Sequence, residues 1–349
     1  MLDVTIVGAG AIAQQGYLPA VSELPDANLR WVIDVDENRA QQVAAEFDAE
    51  GYETEYQEIL EQTDAAIIAT PPKFHGEIAR ACLQSGVHVL SEKPIASTSS
   101  EAADLVSLSD REDLHYAISR QLREAPACRL LHKFTQNGSI GTVERFHVTY
   151  GDTTSWEFAS DYRVQQALAG GGVLTDKGPH VLDIALWIFG NDFEVRRYQD
   201  DSFGGLEANA WVDLEFPSTG ITGTFEITGS RNIDREFVIV GDQGKIVVNP
   251  DKSNGTLYDS ETEQEITLEQ SVDLPNTYLL RIGRQTQRFI ESVKTGERSY
   301  VPASNGVDLL RLLESCYESR EQVIQPWERV GLDVDGDENR LDSIRMEGI

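Results

Sequence analysis

The stretch LDVTIVGAGAIAQQGYLPAV at the front of the chain constrains the fold more than any other. A β-rich run, Leu2 to Val7, leads straight into Gly8, Gly10 and Ala13, spaced G-x-G-x-x-A, and then into an apolar helical stretch. Strand, tight turn and helix in that order open a βαβ unit. Gly8 permits the turn, Gly10 lets backbone approach a pyrophosphate, and small Ala13 lets the helix pack on the strand. The backbone of Ala11 and Ile12 opens that helix, whose positive end favours phosphate. A second β-rich run, Leu29 to Ile33, ends at Asp34, twenty-one residues beyond Ala13. There a carboxylate can accept hydrogen bonds from both hydroxyls of a ribose. Asp34 also repels a ribose 2′-phosphate, and no arginine follows before Arg39. The expected cofactor is therefore NAD, with NADP less favoured; the plainer alternative is a βαβ unit with an acidic loop and no ligand.

Two further apolar runs carry motifs at their ends. Ala65 to Ala69 runs into TPPKFH and Val87 to Leu90 into SEKP. Ligands of a doubly wound sheet lie at the carboxyl ends of its strands, which places Thr70, Pro71, Glu92 and Lys93 at the nucleotide. Lys93 stands out because only seven of the 29 basic residues are lysines. His75, at the start of a helical stretch, is expected to cap that helix or pack beside the cofactor, without a catalytic part. Helical stretches Glu37 to Phe47, His75 to Ser85 and Ser99 to Leu108 alternate with these runs, as βαβ units require. After them come Thr142 to Tyr150, Ala208 to Phe216, Gly220 to Thr228, Glu236 to Val240 and Lys245 to Asn249, joined by short glycine or proline turns, as in an antiparallel sheet. Two more helical stretches, Thr277 to Lys294 and Ser304 to Val323, close the pattern. The expected architecture is an α/β Rossmann domain, residues 1–121, and an α+β domain with a large, mostly antiparallel open sheet, residues 122–330. Residues 331–349 form an acidic tail. An open apolar sheet face would aggregate, so the second domain, which binds substrate, is also expected to build a homodimer or homotetramer through its sheet.

The segment GGGVLTDKGPHVLD, Gly170 to Asp183, places three acid/base groups after a glycine run. If it is helical from about Asp176, Asp176 and His180 share a face, and a carboxylate there orients an imidazole and raises its basicity. The alternative is a glycine-rich turn opening a buried helix, capped by Asp176, with Val181, Leu182, Ile184, Ala185, Leu186, Trp187 and Ile188 as core.

Together, GAGAIA, TPPKFH, SEKP and GGGVLTDKGPHVLD resemble the Gfo/Idh/MocA oxidoreductases, over nearly the whole chain. The resemblance implies a catalytic lysine at Lys93, with the family's aspartate and histidine at Asp176 and His180, and Glu92 near the nicotinamide ribose. ISRQLREAP departs from the arginine and aromatic pair that members often show before the proline; only Arg123 fits. The activity so implied is that of an NAD-dependent dehydrogenase acting on a secondary alcohol of a sugar, sugar acid or cyclitol. His180 is the expected base, oriented by Asp176, with Lys93 on the same oxygen. The alternative makes Lys93 the proton carrier, with His180 on a neighbouring hydroxyl. Some relatives retain NAD and cleave glycosidic bonds through transient oxidation, which leaves a hydrolase open; a catalytically silent nucleotide sensor is a third class. Arg123, Trp156, Tyr162, Arg163 and Lys177 have side chains suited to a polyol.

Charge sets the surroundings. With 59 acidic and 29 basic residues the chain carries −30, spread through every segment. Acid spread this evenly, with few lysines, suits concentrated salt, where screening removes self-repulsion. The expectation is the cytoplasm of an extreme halophile. Such charge disfavours nucleic acid and anionic membrane as partners. Cys82, Cys128 and Cys316 cannot all pair and fit a reducing compartment. No signal segment or run of about eighteen apolar residues appears, and the six histidines lack metal-ligand spacing.

Overall fold

Six parallel strands make the first sheet of the computed structural model, which describes residues 1–153, 169–202, 205–262, 264–269, 277–298 and 301–322. They are β1 (Leu2–Val7), β2 (Ala27–Ile33), β3 (Gly51–Glu53), β4 (Ala65–Ile68), β5 (His88–Ser91) and β6 (Tyr116–Ile118), in the order β3-β2-β1-β4-β5-β6. Parallel neighbours need crossover helices, here α1 (Leu18–Glu23), α2 (Glu37–Glu46), α3 (His75–Gln84) and α4 (Ser99–Arg111). Asp36 caps α2 and Thr98 caps α4, each side chain accepting a backbone N–H three residues on. Helices on both faces leave the central strands with no wet side, so all four residues of β4 are buried. The strand order reverses between β1 and β4, which opens a crevice at their carboxyl ends. Gly8, Thr70 and Glu92 all stand at that edge.

After α5 (Pro126–Gln136) the chain builds a nine-stranded sheet from β7 (Val143–Gly151), β8 (Glu194–Asp200), β9 (Asn209–Phe216), β10 (Ile221–Thr228), β11 (Glu236–Gly241), β12 (Gly244–Val248), β13 (Asn254–Asp259), β14 (Gln264–Glu269) and β15 (Arg320–Gln322). Its order is β14-β13-β12-β11-β7-β10-β9-β8-β15. Neighbours are antiparallel except β7 with β10 and β8 with β15. Alternation assigns the faces: Ala210, Val212, Leu214 and Phe216 of β9 are buried, while Trp211, Asp213 and Glu215 point the other way. The buried face packs on α5, α6 (Val173–Asp176), α7 (Gly178–Phe189) and, beyond α8 (Tyr278–Thr295), on α9 (Ser304–Glu318). The opposite face carries Arg145, His147, Thr222, Thr224 and Glu226 beside Val238, Val240 and Val247. It is largely polar, so the premise of an open apolar face does not hold.

Three features differ from expectation. Strands β8, β13 and β14 carry no strand signal because EVRRYQD, NGTLYD and QEITLE are polar; β14 lies at an edge with five of six residues exposed. Helix α9 stops at Glu318, short of Val323, and the chain re-enters the sheet as β15. There Arg320 pairs at 2.8 Å with Asp200, whose side chain is fully buried. Finally, α8 lays Ile282, Phe289 and Ile290 into the core of the first domain, and α9 packs on both domains. Among the described residues no helix is long and apolar enough to cross a membrane.

Candidate active site

The glycine turn is shaped as its sequence demands. Gly8 has φ +99°, and a Cβ there would come within 2.7 Å of the Ala69 carbonyl oxygen, a position only glycine fills. A Cβ on Gly10 would meet nothing within 4 Å; it would project into free space in front of the turn. The backbone N–H groups of Ala11 and Ile12 lie in the first helical turn, where no intrahelical acceptor exists. Behind them the helix begins as a π turn, Ala13–Tyr17, a form often found at functional sites. Asp34 comes directly after β2. Its Oδ2 accepts Ala9 N–H at 2.9 Å, tying the turn to the next strand. Its Oδ1 accepts Asp36 N–H at 3.0 Å and Arg39 Nη2 at 2.8 Å.

Between β4 and β5, His75 joins two loops. Its Nε2 lies 2.7 Å from the Thr70 carbonyl oxygen and its Nδ1 2.6 Å from that of Pro94. Burial lowers the His75 pKa, against the pull of these two carbonyls. Thr70 Oγ1 is buried without a hydrogen-bond partner among the described residues. Glu92 accepts Tyr17 O–H at 2.5 Å on Oε1 and Lys93 N–H at 3.1 Å on Oε2. Tyr17, fully buried, has Ser119 Oγ at 3.0 Å from its hydroxyl oxygen and is held protonated by its burial and by Glu92. Sequence reasoning missed Tyr17, an aromatic that reads as core.

The second domain meets this edge through Gly170 to Asp183. Lys93 Nζ donates to the Asp176 carbonyl at 2.5 Å and sits 3.3 Å from its Oδ1. The helix does not run through: α6 ends at Asp176 and α7 begins at Gly178. Pro179 explains the break, since it has no N–H to offer the carbonyl four residues earlier. Asp176 therefore faces Lys93, and His180 stands in the next helix's first turn with Nδ1 buried and without a hydrogen-bond partner among the described residues. Burial first, then the positive charge of Lys93, pulls the His180 pKa well below 6.5. Its imidazole is neutral near pH 7 and can take a proton.

Glu207, in the loop before β9, holds the glycine run in place. Its Oε1 accepts Gly172 N–H at 2.9 Å, Leu174 N–H at 3.1 Å and Tyr317 O–H at 2.7 Å. No sequence signal marks it. Asp183 is not at the reacting edge: Arg123 clamps it through Nε at 2.7 Å and Nη2 at 2.8 Å, and Arg120 Nε lies at 3.1 Å, all buried. The same bonds turn Arg123 toward α7. Lys177 Nζ donates to Asp152, whose carbonyl lies at 2.7 Å. Trp156, Tyr162 and Arg163 lie outside the described residues.

With this geometry in view, residues 2–119 match the family model of an oxidoreductase family with an NAD-binding Rossmann fold, and residues 134–324 match that family's C-terminal alpha/beta domain. The chain belongs to the Gfo/Idh/MocA oxidoreductases. One relative is levoglucosan dehydrogenase of Pseudarthrobacter phenanthrenivorans, 28% identical over 200 residues, which are 54% of this chain and 51% of that one. The chain thus spans about half the length of that relative. Another is D-xylose 1-dehydrogenase (NADP(+)) 2 of Haloferax volcanii, 25% identical over 90% of this chain and 96% of that one. Among solved structures, levoglucosan dehydrogenase in complex with NADH and levoglucosan superimposes with a TM-score of 0.80 at 22% identity, covering 91% and 98% of the two chains. That likeness is one of fold.

A nicotinamide dinucleotide fits the Gfo/Idh/MocA site described here. The space before Gly10, the first-turn N–H groups of Ala11 and Ile12, and Thr70 Oγ1, without a partner among the described residues, are what a pyrophosphate and its ribose need. Val35, 88% exposed beside Asp34, offers an apolar surface at the same edge, and only its place after Asp34 could have marked it.

Proposed function

We propose that this Gfo/Idh/MocA oxidoreductase exchanges a hydride between NAD and a secondary alcohol carbon of a sugar, sugar acid or cyclitol. The observation that carries the reading is the meeting of Lys93, from one domain, with Asp176 and His180, from the other, at the crevice edge. Bound nicotinamide supplies the hydride acceptor. Neutral His180 takes the hydroxyl proton, and Lys93 binds the same oxygen and offsets its developing negative charge. Asp176 holds the Lys93 ammonium in place, a change from the sequence reading, which sets it behind His180. Glu92, Asp34, the Gly8–Ile12 turn, Thr70, Pro71 and His75 hold the dinucleotide or its loops, and Val35 packs on adenine. We assign substrate choice to Trp156, Tyr162, Arg163 and Lys177, and move Arg123 from the substrate to the positioning of α7. The setting we propose is the cytoplasm of a halophile, as a dimer or tetramer joined through the nine-stranded sheet; light scattering at high salt reads the assembly.

The test is a screen of sugars, sugar acids and inositols with NAD and NADP in concentrated KCl, monitored by absorbance of the reduced cofactor. Accumulation of reduced nicotinamide with one class of free polyol supports the reading. Release of an aglycone from glycosides without such accumulation would overturn it in favour of a glycoside-cleaving enzyme.

A further inference from the structure

The last turn of α9 brings a phenol against the segment that carries Asp176. Tyr317 O–H donates to Glu207 Oε1 at 2.7 Å, and Thr175 Oγ1 lies 2.9 Å from the same phenol oxygen. A phenol has one proton. It goes to the carboxylate, and burial first, then Glu207, push the Tyr317 pKa up. Thr175 must therefore be the donor in the second bond, which makes a chain from Thr175 through Tyr317 to Glu207. Glu207 also holds the backbone just before Thr175, at Gly172 and Leu174. A Cβ on Gly171 would collide with the Tyr317 hydroxyl, so glycine there is what admits the phenol.

The phenol has little room to move. Its ring meets that of Tyr198 edge to face, with centroids 5.7 Å apart at 81°. The Arg320 guanidinium stands 4.8 Å from the ring centre and is itself paired at 2.8 Å with buried Asp200. One turn earlier on α9, Glu314 accepts Ser99 N–H at 2.7 Å and Ser99 O–H at 2.5 Å, at the start of α4 in the first domain. A short loop joins Ser99 to Lys93, and Lys93 Nζ meets Asp176. Chain and hydrogen bonds thus close a ring across both domains, through Lys93, Ser99, Glu314, Tyr317, Thr175 and Asp176.

We propose that Tyr317 is a positioning residue: through Thr175 its hydroxyl sets the end of α6 so that the Asp176 carboxylate meets the Lys93 ammonium, and Glu314 fixes α9 where this requires it. Helix α6 is a single turn, Val173–Asp176, too short to hold its shape alone. It takes its orientation from what it is tied to, and the Tyr317 hydroxyl is the side-chain tie nearest Asp176. The effect on turnover rests on the reading of the protein as a polyol dehydrogenase; the geometry does not.

Two measurements on the whole chain test the proposal. Crystal structures of wild type, Tyr317→Phe and Thr175→Val give the separation of Lys93 Nζ from Asp176 Oδ1. Both variants are expected to open it beyond about 4 Å, past ion-pair reach, with both sheets unchanged. Turnover is then followed with NAD and whichever member of the polyol screen, D-glucose, D-gluconate and myo-inositol included, the wild type oxidises fastest. Tyr317→Phe and Thr175→Val should each lower kcat about tenfold or more, the scale of a reacting group misplaced by a fraction of an ångström, with NADH affinity unchanged. Thr175→Ser, which keeps the hydroxyl, should stay near wild type. Because Tyr317 acts through Asp176, Tyr317→Phe should cost little more in an Asp176→Asn background, whereas a purely structural residue would cost the same in both. Should Tyr317→Phe fold poorly, the two Thr175 variants decide. An unchanged Lys93 to Asp176 separation, additive losses, or equal turnover in Thr175→Val and Thr175→Ser would overturn the proposal. Were wild type to oxidise no polyol while the variants still open the pair, the positioning would stand and the dehydrogenase reading would be what fails.

Discussion

In the proposed mechanism His180 is the base, and its surroundings set the pH at which it would work. Burial and the charge of Lys93 depress its pKa, while Asp176 opposes them. A depressed base stays neutral, and competent, down to a lower pH than free histidine. The acid limb of turnover should therefore lie below 6.5, the ordinary value for histidine. Asp176→Asn removes a stabilising negative charge and should move that limb further to the acid side. Lys93→Ala removes a repelling charge, so whatever turnover survives should show the limb at higher pH. His180→Ala should cost roughly 10²–10⁴ in turnover with NADH affinity nearly unchanged, the usual worth of a placed base. Near wild-type turnover in His180→Ala at every pH would hand the proton to Lys93. The identities of these three residues are legible in the motifs, but their partners are not. Pro179 is the one mark in the sequence that Asp176 and His180 do not share a helix, and its place inside a motif hides it. Arg123 could not be told from a substrate contact, because a sequence gives no way to see that Asp183, sixty residues on, takes its Nε and Nη2.

The parallel sheet is legible and the polar half of the mixed sheet is not, for one reason. A strand covered on both sides must be apolar throughout and announces itself, as β4 does. A strand with one wet face, or at an edge, is specified by its neighbours, as QEITLE is by β13. The same holds for α7, whose apolar run is plain while the ionic clamp beneath it is hidden. Asp183 is 1% exposed between two buried guanidiniums, Arg120 and Arg123. Removing one member of such a cluster leaves charge without a counterion in a dry place. Asp183→Ala should cost about 3–5 kcal/mol of folding stability, read by denaturant titration. A proton-transfer role would instead leave stability near wild type and abolish turnover. Glu207→Ala should act locally, because Gly172 and Leu174 N–H and Tyr317 O–H lose a shared charged acceptor. We expect a loss of about 2–3 kcal/mol with a fall in turnover, because the same segment carries Asp176 and His180.

For the whole molecule the governing quantity is the charge of −30. Two kinds of ionic contact respond differently to salt. Exposed pairs such as Arg196 with Glu194 and Glu215, or Arg311 with Asp308, contribute little and weaken further as the Debye length shrinks. Buried pairs, Asp183 with its two arginines above all, are hardly screened. Against the loss of the exposed pairs stands the mutual repulsion of 59 acidic residues facing only 29 basic ones. That repulsion acts between many more partners than the pairs do, and over longer distances, so screening removes more destabilisation than stabilisation. At about 0.1 M salt the Debye length is roughly 10 Å and neighbouring carboxylates still repel; at about 1 M it is roughly 3 Å and they do not. Melting temperature should therefore climb steadily from about 0.1 M to molar KCl, and turnover with it, because the Lys93 contact to Asp176 joins two domains that must stay docked. A chain equally stable and active in dilute buffer would show that its acids are spaced widely enough to tolerate one another, and the halophilic setting would fall.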